Sequence, residues 1–403
     1  MNIVLVTGGW VRIPPQEGGG AEAFVLNLAR HLSDMGNIIT LIDRIYGEDD
    51  ISEEFVDGIK IIRIKSPRFV KFSYNTNFVL TQICFGYKVN KYLKKADNIE
   101  AIHLYTTMLG LVLAFLNKST RGKLFYSSLG LRRDKKSPSV TDRVAMWLEN
   151  QLIKRAKKTT IANEIIAEKL VKQAKVEKDR VQVVPIGVDT TQYNPNHDTT
   201  EIEKKYGLEN SNIVLFVGRI CADKGVEYLI KAADIVVNRY GKHNVCFLIV
   251  GPTEQFDTHN GTSGNYAEKV KKIVDDLGLR KKVIFTGVAP IDDKIKLYTA
   301  CDMVVIPSVV DLDPQVQIEA MASGKPVIGT NVGTMPRRIT DGQSGFIVEP
   351  ADEKQLAEKI IYLLDNPDER EKMGTCARKT VEKYYSADKM AARMIEVFED
   401  ATS

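Results

Sequence analysis

Phe216-Val-Gly-Arg-Ile-Cys-Ala-Asp-Lys-Gly-Val-Glu227, read together with the stretch Pro307–Pro350, decides the fold. Ile213–Val217 is a short apolar run rich in β-branched residues, and Gly218 breaks it. Gly225 then opens a segment in which Leu229, Ala232, Ala233 and Val236 recur at helical spacing. The order is strand, loop, amphipathic helix, so Arg219 and Lys224 fall on the loop at the carboxyl end of a strand, where open α/β sheets take their ligands. A guanidinium grips two phosphate oxygens at once, and a lysine ammonium adds a mobile point charge; the pair suits a diphosphate. Met303–Ile306 reads as a second strand ending in Pro307-Ser308, and Val316–Ser323 as a helix stopped by Gly324 with Pro326 beyond. Glu319 lies within that helix, where its carboxylate can accept from both hydroxyls of a ribose. Backbone N–H groups around Gln315 and Val316, at the helix start, are open to phosphate or sugar oxygens. A solvated Arg/Lys pair and a solvent-facing helix glutamate are the plain alternatives. The shared placement of both segments at strand ends favours the phosphorylated ligand.

Outward from this pair, the pattern stays α/β. Strands are expected at Ile213–Val217, Val245–Val250, Val283–Phe285, Met303–Ile306 and Val327–Gly329, with helices between them. Residues 1 to about 190 give another alternating series, opening with a strand at Ile3–Val6 and a helix carrying Val25, Leu28, Ala29 and Leu32 on one face. The polar, helix-breaking stretch Asp189–Thr200 reads as a hinge, and the polar loop Pro252–Gly264 as a mobile one. The domains are therefore expected at 1–195, joined by a returning helix 386–403, and at 205–385. Leu356, Ile360, Leu363 and Leu364 line one face of a helix from Asp352 that Asn366-Pro367 ends. Met390, Met394, Val397 and Phe398 form a core stripe on the last helix.

At 403 residues and 44% apolar content the chain can build two cores, which excludes a disordered or fibrous class. The longest apolar run, Met108–Leu116, is far short of the about 20 residues of a membrane span. No signal segment is read at Met1-Asn-Ile-Val-Leu-Val, and five scattered cysteines fit a reducing compartment, so a cytoplasmic location is expected. Cys84, Cys221, Cys246, Cys301 and Cys376 are isolated from one another, and no His, Cys or carboxylate spacing suggests a metal site.

With Pro185-Ile-Gly-Val-Asp189, Gly18-Gly-Gly-Ala-Glu22, Glu319-Ala-Met-Ala-Ser-Gly-Lys-Pro-Val327, Val332-Gly333 and Asp341-Gly-Gln-Ser-Gly345 added to the two opening segments, the chain resembles the retaining glycosyltransferases of family 4 over nearly its whole length. The resemblance implies the GT-B fold: two Rossmann-like, doubly wound α/β domains facing a cleft, with the C-terminal helix crossing back to the first domain. It implies a nucleotide-diphosphate sugar as donor and an acceptor hydroxyl, with no cofactor and no metal. Arg219 and Lys224 would neutralise the donor diphosphate, Glu319 would hold the ribose, and the nucleobase would rest near Gly287 and Val288. Gly19 and Gly20 would approach the donor phosphate or the acceptor closely. Retention would follow from the leaving diphosphate itself taking the acceptor's proton, the protein positioning the substrates and stabilising charge.

Three departures stand out. The family's first glutamate of a seven-spaced pair is here Asp311, one methylene shorter; either Asp311 reaches the sugar or Asp313 replaces it, and Pro314 lacks an N–H. Where the family commonly has a histidine facing the reacting sugar, alignment of Lys123–Gly130 places Leu129; His103, on an earlier strand at Glu100–Leu104, is the other acceptor-side candidate, against the reading of a core histidine. Ile186 stands where asparagine is customary. These departures keep a non-catalytic nucleotide-binding subunit or scaffold as an alternative. The sugar-nucleotide epimerases, which share the architecture, need acid/base groups that this pattern does not offer.

Charge is uneven. Residues 1–200 hold 29 Lys+Arg against 21 Asp+Glu, and the remainder 27 against 31. Between Ile59 and Arg133 there are 14 bases and two acids, interleaved with Phe69, Phe72, Tyr74 and Phe78. A solvated basic face is one reading. Peripheral contact with an anionic membrane and a lipid-linked glycan acceptor is the other. No nucleic-acid motif accompanies the charge.

Overall fold

The computed structural model describes residues 1–9, 11–14, 20–47, 50–67, 69, 74–128, 139–252 and 266–402. The chain divides into two compact units, Met1–Ile186 with Ala387–Ser403, and Gly187–Ser386.

In the first unit the order is β1 (Asn2–Val6), α1 (Gly20–Asp34), β2 (Ile38–Arg44), β3 (Glu53–Val56), β4 (Ile59–Ile64), α2 (Tyr74–Leu93), β5 (Ala101–Leu104), α3 (Thr107–Leu116), β6 (Leu124–Ser128), α4 (Val140–Ile153), β7 (Lys158–Ile161), α5 (Glu164–Ala174) and β8 (Val181–Val183). The sheet runs β3-β4-β2-β1-β5-β6-β7-β8, parallel except for the antiparallel edge strand β3. Its central strand β1 is a nearly continuous apolar run, as helices on both faces require. Val25, Leu28, Ala29 and Leu32 of α1 pack with Ile3, Leu5, Leu41 and Phe125 on one face.

The second unit continues with α6 (Thr200–Tyr206), β9 (Asn212–Val217), α7 (Val226–Asp234), β10 (Val245–Val250), α8 (Tyr266–Asp276), β11 (Val283–Gly287), α9 (Ile291–Ala300), β12 (Met303–Ile306), α10 (Gln315–Ala322), β13 (Val327–Thr330), α11 (Met335–Arg338), β14 (Gly345–Val348), α12 (Glu353–Asp365) and α13 (Pro367–Tyr384). Its sheet is wholly parallel, in the order β11-β10-β9-β12-β13-β14. The order reverses between β9 and β12, so the loops after these two strands open side by side at their carboxyl ends.

The last helix, α14 (Ala387–Thr402), belongs to the first unit, where Met390, Met394, Val397 and Phe398 pack into the α1 core. The boundary between units falls at Ile186/Gly187, earlier than the 195/205 expected from sequence. Asp189–Thr200 is no free hinge segment: it is built into the second unit. Tyr193 is buried, Arg378 donates to the carbonyls of Thr190 and Tyr193, and the Thr299 hydroxyl donates to the Asn194 carbonyl at 2.9 Å. Its polar residues are spent on turns, such as Asp189 accepting from the Thr191 N–H at 2.8 Å. Nearly all of the polar loop Pro252–Gly264 lies outside the described residues.

His103 sits wholly buried on β5. Its Nε2 meets the Ser127 hydroxyl at 2.8 Å, its Nδ1 meets the Tyr105 hydroxyl at 3.0 Å, and its ring packs edge-on against Phe398 of α14. His103 is thus a core histidine, not an acceptor-side group, because both ring nitrogens are already engaged away from solvent. Burial pushes its pKa down to about 3. The unfolded chain takes up this proton near 6.5 and the folded chain does not, so stability falls as pH drops through that window, by about 1.4 kcal/mol per pH unit from this residue. Urea denaturation at about pH 6.5 and 4.5 should show His103→Gln losing roughly 2–3 kcal/mol less on acidification than the wild type. Equal losses would show that His103 takes up the proton within the fold.

Candidate functional site

Arg219 and Lys224 occupy the loop between β9 and α7, as the strand–glycine–helix pattern implies. Backbone contacts lock the loop to the one after β12. The N–H groups of Val309 and Val310 both donate to the Asp223 carbonyl, at 2.8 and 3.1 Å. Gly225 is left-handed at φ +65, and a Cβ there would stand 2.0 Å from the Pro307 carbonyl oxygen. Gly333 closes the far side in the same way: at φ +55, its Cβ would lie 2.3 Å from the Asp311 carbonyl oxygen. Only glycine satisfies both the backbone angle and the approach at these positions.

This geometry delivers Lys224 to Asp311, Nζ to Oδ2 at 2.5 Å, with the two side chains 23% and 12% exposed. The pair is shielded enough to be ordered and open enough for a ligand to reach. Asp311 also lies 3.5 Å from the Ser308 hydroxyl. Asp313 points elsewhere. It pairs with Arg338 of α11 at 2.5 Å and accepts from the Thr334 hydroxyl at 3.0 Å, and burial raises its carboxyl pKa in spite of the Arg338 charge. Of the two aspartates, Asp311 is the one beside Lys224, while Asp313 ties the loop to α11.

Pro314 is the N-cap of α10 and supplies no side-chain cap, so the half-buried Gln315 and Val316 begin the helix with N–H groups that a ligand oxygen can meet. Further along α10, Glu319 gathers three donors. Oε1 accepts from the Tyr193 hydroxyl at 3.2 Å and from Lys294 Nζ at 3.0 Å; Oε2 accepts from the Tyr298 hydroxyl at 2.8 Å. Burial, and then the Glu319 charge, raise the pKa of both phenols, which stay protonated as donors. A carboxylate offers about four acceptor positions, so this one keeps roughly one for a ligand hydroxyl rather than the two expected from sequence. Tyr193, Lys294 and Tyr298 were not picked out in the sequence. The available signal was that Lys294 and Tyr298 are four residues apart, on one face of α9.

Gly287 ends β11 at φ +72, with its carbonyl receiving the Gly251 N–H at 2.8 Å, and Val288 is exposed at the start of the turn that leads to α9. Gly20 opens α1 in the first unit, whereas Gly18, Gly19 and Leu129 lie outside the described residues.

Residues 198–380 match the family described as "Glycosyl transferases group 1", and residues 18–192 match "Glycosyltransferase Family 4". The chain belongs to the group 1, family 4 glycosyltransferases. Its two parallel-sheet Rossmann-like units are those of the GT-B enzymes. An uncharacterised glycosyltransferase of Methanocaldococcus jannaschii is 26% identical over 100% of this chain and 98% of its own. The D-inositol 3-phosphate glycosyltransferase of Corynebacterium glutamicum is 29% identical over 63% of this chain, and the alignment spans only 59% of that relative's length. Among solved structures, the sucrose-phosphate synthase of Thermosynechococcus elongatus superposes with a TM-score of 0.79 at 22% identity, covering 99% of this chain and 98% of that one. Anabaena HepE in complex with UDP-glucose gives 0.74 at 21% identity, covering 99% and 100%.

In this glycosyltransferase, Gly225→Ala forces a left-handed alanine against a carbonyl, a strain of about 1–3 kcal/mol, and prises the two loops apart. It should lower the melting temperature and weaken binding of nucleotide diphosphates. By contrast, Gly207→Ala, left-handed at φ +62 with nothing within 4 Å of its Cβ, should cost stability without affecting the ligand. Thermal melts with and without nucleotide separate the two effects.

Proposed function

We propose that this glycosyltransferase moves a sugar from a nucleotide-diphosphate sugar to an acceptor hydroxyl with retention of anomeric configuration and without a metal ion. The observation that carries the reading is the meeting of the Arg219–Lys224 loop with the Asp311–Val316 loop at the strand-order reversal of one sheet. Arg219 and Lys224 supply the charge that a departing diphosphate needs, and the open N–H groups of α10 add donors that require no reorganisation during reaction. Glu319, held by two phenols and Lys294, accepts one ribose hydroxyl. Asp311 accepts from the transferred sugar while orienting Lys224.

In the reaction the bond from the anomeric carbon to the diphosphate oxygen breaks, and the acceptor oxygen bonds to that carbon on the same face. The acceptor's proton passes to the leaving diphosphate. Positioning and charge stabilisation are then what the protein contributes. Uridine nucleotides are the first donors to try, since UDP-glucose is the ligand in the Anabaena HepE structure. The basic first unit supports an acceptor in lipid-linked glycan, polysaccharide or glycolipid synthesis.

Slow hydrolysis of sugar nucleotides, followed as release of nucleoside diphosphate, tests the reading. Wild type should release it in the presence of EDTA, with the α-anomer formed from an α-linked donor, and Lys224→Ala should cut kcat by about 100-fold or more. Binding without turnover across donors and acceptors would favour a non-catalytic subunit. Asp311→Asn should lower kcat/KM for transfer by about tenfold or more while leaving the affinity for free nucleoside diphosphate within about threefold. Equal losses in both would place Asp311 on the diphosphate instead.

A further inference from the structure

The helical layer of the first unit that faces away from α14 is built unlike an ordinary soluble surface. Leu104 alternates to the side of β5 opposite His103, and a Cβ on Gly110 of α3 would touch the Leu104 side chain, so α3 lies on the sheet face that α14 does not cover. α2 packs on α3, with Gly86 close to Val112 and Leu109, and α4 packs on α3 through Leu152 against Gly110. The three helices form one contiguous layer.

Large apolar side chains stand outward along it. Val140, Val144 and Trp147 recur on one stripe of α4 at 75%, 53% and 59% exposure. Ile83 and Tyr87 stand out on α2, and Phe115 and Leu116 at the end of α3. The Arg155 guanidinium lies 4.5 Å from the Phe115 ring centroid, joining the α3 and α4 ends of the patch. Among the described residues of the three helices, the exposed charges have one sign. Lys88, Lys91, Lys94, Lys95 and Arg143 are exposed. The acidic residues of the three helices are turned to other work: Asp142 is buried in the Ser139 capping box, and Glu149 accepts from the hydroxyls of Tyr126 and Ser128 at 3.0 and 2.7 Å. Asp97 and Glu100 follow only beyond the end of α2.

We infer that this face docks on an anionic phospholipid surface, with Val144, Trp147 and Tyr87 entering the headgroup region and the lysines of α2 over the lipid phosphates. A protein partner would need acidic groups matched to separate lysines. A bilayer meets a spread of cations with a continuous negative potential and takes up tryptophan and tyrosine rings at its polar boundary. The neighbouring helix α5 carries Glu164 and Glu168 among its lysines, which confines the one-sign character to α2–α4. The inference extends the proposed lipid-borne acceptor, because it brings the enzyme to the surface where such an acceptor lies.

Flotation of the full chain with vesicles of phosphatidylcholine, alone or with about 30% phosphatidylglycerol, and with no sugar nucleotide present, tests it. The wild type should float with the acidic vesicles only and be released by high salt. Lys88→Glu/Lys91→Glu/Lys94→Glu and Val144→Ser/Trp147→Ser should each lower the bound fraction at least about tenfold, since a single cation at the surface changes partitioning about fivefold. Both variants should keep wild-type melting temperatures and wild-type shifts with nucleoside diphosphate, a readout that fails separately if the donor reading is wrong. Equal recovery with neutral and acidic vesicles, or variants that float like wild type, would overturn the inference. So would a wild-type dimer in light scattering that Val144→Ser/Trp147→Ser splits, which would assign the face to a second copy of the chain.

Discussion

The Asp223 carbonyl receives two N–H groups from across the strand-order reversal, and Gly225 beside it folds under the Pro307 carbonyl. These contacts involve no charged side chain, yet they set the positions of Lys224 and Asp311. Lys224 meets Asp311 because its loop cannot drift from the β12 loop. The backbone of Asp311 is in turn backed by Gly333, where any side chain would clash. Mobile, strongly hydrated groups such as lysine and aspartate are ordered here by rigid main chain on both sides, which is the economical way to prepare charge for a ligand that brings its own.

The second layer of order is polar and buried. Glu319 is oriented by Tyr193, Lys294 and Tyr298, and Asp313 by Arg338 and Thr334. Each carboxylate is held by a cation and at least one neutral hydroxyl, the combination under which a partly buried charge is tolerated. Truncating one partner leaves the others facing an unmatched group, so these positions are sensitive beyond the worth of any single bond.

Much of this was legible beforehand. The β9–loop–α7 unit, the β12–α10 unit and the core stripe of α14 follow from periodicity and glycine placement, and their bounds agree with the structure to within a residue or two. What was missed depends on contacts between residues distant in sequence. The four-residue β14 begins at Gly345, and a glycine gives no strand signal; it is needed there because a Cβ would stand 2.1 Å from the Val327 carbonyl oxygen of the neighbouring strand. The choice between Asp311 and Asp313 turns on Arg338, which lies outside any local window, and the burial of His103 on a helix nearly three hundred residues later. The contact boundary at Ile186/Gly187 differs from the expected one for a related reason. Asn, Asp, Thr and Pro signal a break in regular structure, but that composition does not distinguish a free connection from one whose polar groups are all spoken for.

That last segment bears on how the second unit can be excised. Tyr193 gives its hydroxyl to Glu319 and packs its ring edge-on against Tyr298, with centroids 5.9 Å apart, while the carbonyls of Thr190 and Tyr193 receive Arg378. A fragment begun at residue 205 would keep all six strands of its sheet yet lose one of the three donors to Glu319, uncover the Tyr298 ring and leave Arg378 with only the Ala322 carbonyl and Glu382 as partners. Begun at Gly187, the same piece retains them. The residues that look most like connecting tissue are part of the wall on which the carboxylate hangs.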